Sequence, residues 1–163
     1  MTVSPAPDRS GPVHVLVVAA GRGVRAGPGG PKQYRALAGE TVLRRTLAAV
    51  LSWPGVSPAR VRVAIHPDDA DLYADAAQGI GLAAPVHGGA TRQESVRLGL
   101  EAIAADGEAG VALIHDAARP FADAALAGRV LAALERASGA CPALPVVDTL
   151  RRGTPGGPAG EGV

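Results

Sequence analysis

Apolar runs of strand length recur along the chain and predict its β-strands. Residues 13–20 (VHVLVVAA) form a continuous and largely β-branched run, which is typical of a strand buried on both faces of a parallel sheet. The runs 61–65 (VRVAI) and 111–115 (VALIH) predict two more strands, and residues 85–87 predict a short one. Residues 141–147 (CPALPVV) end in a pattern that we interpret as a last strand.

Helical periodicity occupies the stretches between these runs. From Thr41 onward, apolar residues fall on one helical stripe, with Thr41 as the expected N-cap. Residues 68–77 predict a second helix, with acidic residues in its first turn where they suit the helix dipole. A third helix is expected after Thr91, which has capping-box spacing to Glu94, and a fourth over residues 123–137.

This alternation of strands and helices indicates an α/β, Rossmann-like fold, with a mostly parallel sheet covered by helices on both faces. We expect one domain over residues 13–152. A loose N-terminus at residues 1–12 is expected to precede it, and the Gly- and Pro-rich tail at residues 153–163 is a poor candidate for order.

Three unusual segments follow predicted strands, at residues 21–32, 88–95 and 115–120. In open α/β sheets, ligands bind beyond the carboxyl ends of the strands. The sequence therefore predicts a binding site where these three segments meet.

Composition excludes several classes of function. The formal net charge is +1, the arginines are scattered, and four aromatic residues offer no stacking platform, so nothing favours nucleic-acid binding. No apolar stretch reaches the roughly 18 residues of a membrane span. The single Cys141 cannot form an internal disulfide, and the first residues lack a secretory pattern. We expect a soluble, cytoplasmic protein with neither a nucleic-acid nor a membrane partner.

The loop after the first strand contains the only lysine, Lys32, among 16 lysine and arginine residues. Lysine is a compact point charge on a flexible stem, which suits a single phosphate oxygen. Residues 21–26 match the G-x-G-x-x-A form of the dinucleotide fingerprint. However, Pro28 and Pro31 prevent the helix that would carry the pyrophosphate, which disfavours an NAD enzyme.

The same loop suits a triphosphate. It offers backbone N–H groups and three cations, Arg22, Arg25 and Lys32. In nucleotidyl transfer the protein mainly positions the reactants and neutralises charge on the attacked phosphorus. The alternative is a surface loop with solvated arginines.

The other two segments carry weaker signals. Asp116 could hold a Mg²⁺ ion carried by a nucleotide or accept sugar hydroxyls, or it could simply cap a turn. Arg119 could face a second phosphate. Gly89 and Ser95 could read the edge of a base, although the same residues also suit an ordinary strand-to-helix turn.

Taken together, four motifs resemble one family. AAGRGVRAGPGGPKQY, GGATRQESVRLGL, HDAARPF and PVVDTLRR stand in the order and spacing found in 2-C-methyl-D-erythritol 4-phosphate cytidylyltransferases. The resemblance covers about residues 13–152 and implies a nucleotidyltransferase fold. It also implies transfer of CMP from CTP, with Mg²⁺, to methylerythritol phosphate in the non-mevalonate isoprenoid pathway. Ribitol 5-phosphate cytidylyltransferases are the alternative, although they typically have Ser-Val in place of Ala117-Ala118.

The resemblance implies roles for individual residues. Two match the cations that stabilise the transition state: Arg25 and Lys32. Others match positions around the nucleotide: Ala19, Ala20, Gly21, Gly23, Gly89, Ser95, Asp116 and Ala117. Asp116 also matches a position near the metal. Two match positions that face methylerythritol phosphate: Arg119 and Thr149.

The chain departs from the family pattern in three respects. Val18 stands where family members often carry Pro, a mild change at a buried strand end. Ala90 stands where many members carry an acidic residue, which implies that one contact toward the base is absent or made by backbone. Family members also continue beyond this sequence, with the rest of a dimerisation arm and two further cations for the acceptor. We therefore expect a domain truncated at the C-terminus, or part of a chain fused to a cyclodiphosphate synthase. A homodimer is expected of the complete enzyme, and a non-catalytic CTP-binding module is the alternative for this chain.

Overall fold

The computed structural model describes residues 11–22, 30–107 and 110–147. The expectations for the tail and for most of the N-terminus concern residues outside these ranges. Three predicted site residues also lie outside them: Gly23, Arg25 and Thr149.

Besides three single-turn 3-10 helices, four α-helices and six β-strands follow one another within the described ranges. In chain order they are β1 (Val13–Val18), β2 (Ala36–Leu37), β3 (Glu40–Thr41), α1 (Val42–Leu51), β4 (Val61–Ile65), α2 (Ala70–Ala77), β5 (Val86–His87), α3 (Arg92–Ala105), β6 (Val111–Asp116) and α4 (Ala124–Leu134). Among these helices, none has the length and apolar character that crossing a membrane requires.

Four of the strands form one sheet in the order β5–β4–β1–β6, and all three pairings are parallel. β1 is central, with Val15 opposite Val61 on one side and Leu113 on the other. β2 and β3 form a separate antiparallel hairpin. The prediction of a parallel α/β sheet is confirmed.

Helices cover both faces of this sheet, because the side chains of β1 alternate between two apolar clusters. Val15 and Val17 pack with Leu47 of α1 on one face. Leu16 packs with Ile103 of α3 on the other. All the β1 residues named here are fully buried.

Helix α3 lies close to β1 because position 99 is a glycine. A Cβ atom on Gly99 would collide with the side chain of Leu16, which has no room to move at 0% exposure. This close packing brings the first turn of α3, with Ser95, beside the carboxyl end of β1.

The predicted caps Thr41 and Thr91 are confirmed, and the structure adds a third cap, Asp123. Thr41, Thr91 and Asp123 each accept a hydrogen bond from the backbone N–H three residues later, at 3.1, 3.0 and 2.7 Å. These bonds satisfy donors that the first helical turn leaves unpaired.

Other expectations are corrected. Residues 141–147 contain no strand, since Pro142 and Pro145 remove the N–H donors that a ladder requires. The fourth helix ends at Leu134 rather than at residue 137, and the first strand ends at Val18 rather than at residue 20. The hairpin of β2 and β3 was not expected, because strands of two residues have no detectable periodicity.

Candidate active site

A cleft of about 850 Å³ opens at the carboxyl ends of β1 and β6. Every predicted site residue within the described ranges lines it: Ala19, Ala20, Gly21, Lys32, Gly89, Ser95, Asp116, Ala117 and Arg119. Gln33, His66 and Arg92, to which the sequence assigned no role, line it as well. The structure therefore brings together residues from all three predicted segments.

Backbone hydrogen bonds hold the ends of the sheet strands that form the floor of the cleft. The N–H of Ala19 donates to the carbonyl of Ala64 at 2.7 Å, and that of Ala117 donates to Val18 at 3.0 Å. The sheet-like hydrogen bonding thus extends one residue beyond the ends of β1 and β6. As a result, Ala19 and Ala117 lie side by side beneath the site.

Arg22, one of the three cations expected to face a triphosphate, is instead bound by two carboxylates. Its guanidinium group lies 2.8 Å from Asp69 Oδ1 and 3.0 Å from Asp68 Oδ2. Burial, together with the negative charge of Asp69, raises the pKa of the Tyr34 phenol.

Lys32 is exposed, and within the described part of the chain no carboxylate pairs with it. Lys32 is therefore the described loop cation available to a phosphate.

The opposite wall is the turn between β5 and α3. Ser95 is buried, and its hydroxyl accepts a hydrogen bond from Gly89 N–H at 3.1 Å and donates to Thr91 O at 2.9 Å. Glu94 Oε2 accepts from Ala90 N–H at 2.9 Å, so the carboxylate binds one residue before the helix cap. Ser95 thus fixes the turn whose backbone faces the cleft.

Asp116 is held between two arginines. Its Oδ1 accepts hydrogen bonds from Arg92 Nη2 at 2.9 Å and Nε at 3.2 Å, and its Oδ2 accepts from Arg119 Nε at 2.9 Å. Burial opposes ionisation of Asp116, but these hydrogen bonds and positive charges outweigh it and lower its pKa. The carboxylate therefore stays charged and orients both guanidinium groups.

Arg92 had one sequence signal that could have identified it. It is the first residue of α3, where the helix dipole disfavours a cation. A basic residue at such a position needs a nearby anion, and here that anion is Asp116.

Side chains from outside the cleft brace the segment that follows β6. Thr46 Oγ1 donates to Ala117 O at 2.8 Å, and Trp53 Nε1 donates to Ala122 O at 3.0 Å. His115 Nε2 lies 2.9 Å from Arg119 O, and its ring meets Trp53 edge to face at 5.0 Å. Because a carbonyl can only accept, Nε2 carries the proton. Burial lowers the pKa of His115.

The described residues contain no group of three His, Cys, Asp or Glu side chains that could cage a metal. Asp116 is the carboxylate at the centre of the cleft, and its Oδ2 accepts one hydrogen bond, which leaves a lone pair for another partner. One carboxylate with nucleotide phosphates is an ordinary magnesium arrangement. The residues present therefore fit a metal that arrives with a nucleotide.

Comparisons with known proteins identify relatives of this chain. The bifunctional enzyme IspD/IspF of Paramagnetospirillum magneticum is 57% identical over 142 residues, covering 87% of this chain and 36% of the relative. That of Rhodospirillum rubrum is 53% identical over 152 residues, covering 93% and 38%. The chain thus spans less than two fifths of the length of these relatives.

Solved structures show the same fold. A 4-diphosphocytidyl-2C-methyl-D-erythritol synthase superposes with a TM-score of 0.72 at 29% identity, covering 93% of this chain and 68% of that one. The synthase of Anaerococcus prevotii gives 0.63 at 27% identity, with 77% and 52% covered. The family model for IspD, 2-C-methyl-D-erythritol 4-phosphate cytidylyltransferase, matches residues 13–158. The chain belongs to the 2-C-methyl-D-erythritol 4-phosphate cytidylyltransferase family.

Proposed function

We propose that this chain transfers CMP from CTP to 2-C-methyl-D-erythritol 4-phosphate and releases pyrophosphate, a step of non-mevalonate isoprenoid synthesis. The observation that carries the proposal is the cleft in which Lys32, Ser95 and Asp116 converge from three separate segments. A family match over residues 13–158 supports the choice of acceptor.

CTP is proposed to lie across the cleft. Its triphosphate follows the glycine-rich loop near Gly21, where backbone N–H groups and Lys32 meet it. Its base lies against the turn that Ser95 fixes, and its ribose lies near Asp116. Arg119, which lines the cleft and also binds Asp116, is proposed to face the acceptor phosphate, as the family resemblance implies.

The proposed reaction is an in-line substitution at the α-phosphorus. An oxygen of the 4-phosphate forms the new P–O bond while the bond to the β-phosphate breaks and pyrophosphate leaves with its electron pair. The acceptor is already an anion near neutral pH, so the reaction needs no general base. Lys32, together with Arg25 outside the described ranges, neutralises charge on the equatorial oxygens.

Magnesium is proposed to enter with CTP, and Asp116 would be its protein ligand. When bound, it supplies positive charge to the leaving pyrophosphate. The chain's own contribution is an ionised carboxylate, which Arg92 and Arg119 hold in place.

The homodimer of the complete enzyme stays a proposal that light scattering can test.

Pyrophosphate release from CTP, measured with each of two acceptors, tests the function. Release that requires methylerythritol phosphate supports the proposal. Release that requires ribitol 5-phosphate instead would assign the other cytidylyltransferase activity. CTP binding without pyrophosphate release in the presence of either acceptor would contradict the proposed enzymatic activity and favour a non-catalytic binding module. Equal thermal stabilisation by CTP, ATP and GTP would contradict the assignment of the base.

A further inference from the structure

Gln33 is a buried polar residue at the foot of the glycine-rich loop. Its side chain is among the least exposed in the molecule, at 2%. The side-chain amide Nε2 donates to Ala19 O at 2.5 Å and to Gly21 O at 3.1 Å. Since both partners are carbonyl oxygens, the nitrogen must be the atom that faces them. Both N–H groups of the amide are therefore used.

These two hydrogen bonds close the loop on itself. Ala19 and Gly21 stand where the chain leaves the sheet, 14 and 12 residues before Gln33. The bonds thus join the start of the loop to the point where it returns. They act together with Tyr34, which packs against the main apolar cluster, and with the hydrogen bond from Val42 N–H to Arg35 O at 3.0 Å.

The returning arm carries Lys32, which directly precedes Gln33. Further contacts make this arm rigid: Tyr34 N–H donates to Pro31 O at 3.0 Å, and Arg35 Nη2 donates to Gly30 O at 3.2 Å. The Lys32 side chain itself is long and exposed, so its backbone position decides which phosphate the ammonium group reaches.

A packing role alone does not explain the amide. The carbonyls that Gln33 binds belong to Ala19 and Gly21, which line the cleft. An apolar side chain of equal length would fill the same space but would leave the Ala19 and Gly21 carbonyls without these donors.

We propose that Gln33 is a positioning residue that holds Lys32 at the α-phosphate and thereby acts on turnover rather than on CTP binding. This inference rests on the proposed function, because it assigns Lys32 to the transition state. Misplacement of a charged group by about 1 Å can cost about 100-fold in rate. CTP binding depends on the whole cleft and is affected far less.

Three variants test the role. Gln33→Met keeps the length and removes both donors, and Gln33→Asn keeps the amide but withdraws it by one methylene. Gln78→Met is the matched control, since Gln78 is exposed at the end of α2 and does not line the cleft. We expect at least tenfold lower kcat for both Gln33 variants, a CTP Kd within threefold of wild type, and no change in the control. An unchanged kcat, or a Kd that rises as kcat falls, would overturn the role.

Amide hydrogen exchange separates this inference from the proposed function. In Gln33→Met the amides of Tyr34 and Arg35 are expected to exchange at least tenfold faster, while those of α1 keep their wild-type rates. Unchanged exchange at Tyr34 and Arg35 in Gln33→Met overturns the inference even where the wild-type protein turns over CTP normally. Faster exchange in a protein whose wild type shows no turnover supports the loop closure and counts against the proposed function alone.

Discussion

Gly88 offers a sharp test of how the walls of the cleft fit together. Gly88 directly precedes Gly89 in the turn before α3. It lies between Ala20, which follows β1, and Ser95 of α3. A Cβ at position 88 would collide with the Cβ of Ala20 and would stand 2.7 Å from Ser95 Oγ and 3.2 Å from Ser95 Cβ. The change Gly88→Ala therefore acts on both walls at once.

The magnitude follows from how little these neighbours can move. Ala20 has no rotamers, and Ser95 is 2% exposed with its hydroxyl hydrogen-bonded on two sides. Relief of the tightest contact, with Ala20, therefore requires the backbone of the turn to move by about 1 Å, and overpacking of this kind typically costs about 1–3 kcal/mol. We expect Gly88→Ala to lower the free energy of unfolding by that amount and to weaken CTP binding at least tenfold.

Urea unfolding and CTP titration measure the two effects. Gly139→Ala is the control, because a Cβ there meets nothing within 4 Å and the residue lies outside the nucleotide cleft. Equal unfolding free energies for the Gly88→Ala and Gly139→Ala variants would refute the packing argument. A destabilised Gly88→Ala variant with wild-type CTP affinity would refute the placement of the nucleotide against this turn.

Three further variants probe other parts of the molecule. Thr46→Val keeps the shape but leaves the Ala117 carbonyl without its buried donor, so we expect about 1–3 kcal/mol lower stability in urea unfolding. Gly128→Ala has room in α4, with Pro54 Cγ at 4.0 Å, and should raise stability by about 0.5–1 kcal/mol. Burial holds the pKa of His115 below 6.5, so the unfolded chain takes up this proton first and stability falls as pH drops below 6.5. Between about pH 7.5 and about pH 5.5, the free energy of unfolding should fall less in His115→Gln than in wild type.

The sequence was informative wherever the signal is local. The β-branched run of β1 predicts a strand because a two-sided buried strand needs apolar residues on both faces. Thr41 and Thr91 predict helix starts because a short polar side chain can reach the N–H groups of its own first turn. Such signals depend on residues three or four positions apart.

The site was predictable only in part, because its contacts join distant positions. The bond from Gln33 to Ala19 spans 14 residues, and that from Arg92 to Asp116 spans 24. No periodicity relates such pairs, so the ion pair between Arg22 and Asp69, 47 residues apart, was not predicted. The strand expected at residues 141–147 was wrong for a local reason, since Pro142 and Pro145 remove N–H donors that a sheet ladder requires. Its apolar residues suit a strand, but the structure shows no strand paired there.

The most direct test of the account is single-turnover release of pyrophosphate by the Lys32→Met variant. Lys32 is exposed and forms no ion pair within the described part of the chain, so its loss is expected to leave the unfolding free energy unchanged. Removing one preorganised group that stabilises the transition state costs about 100- to 1,000-fold in rate. The account predicts that loss with a CTP Kd within about tenfold of wild type. Turnover at the wild-type rate would contradict it.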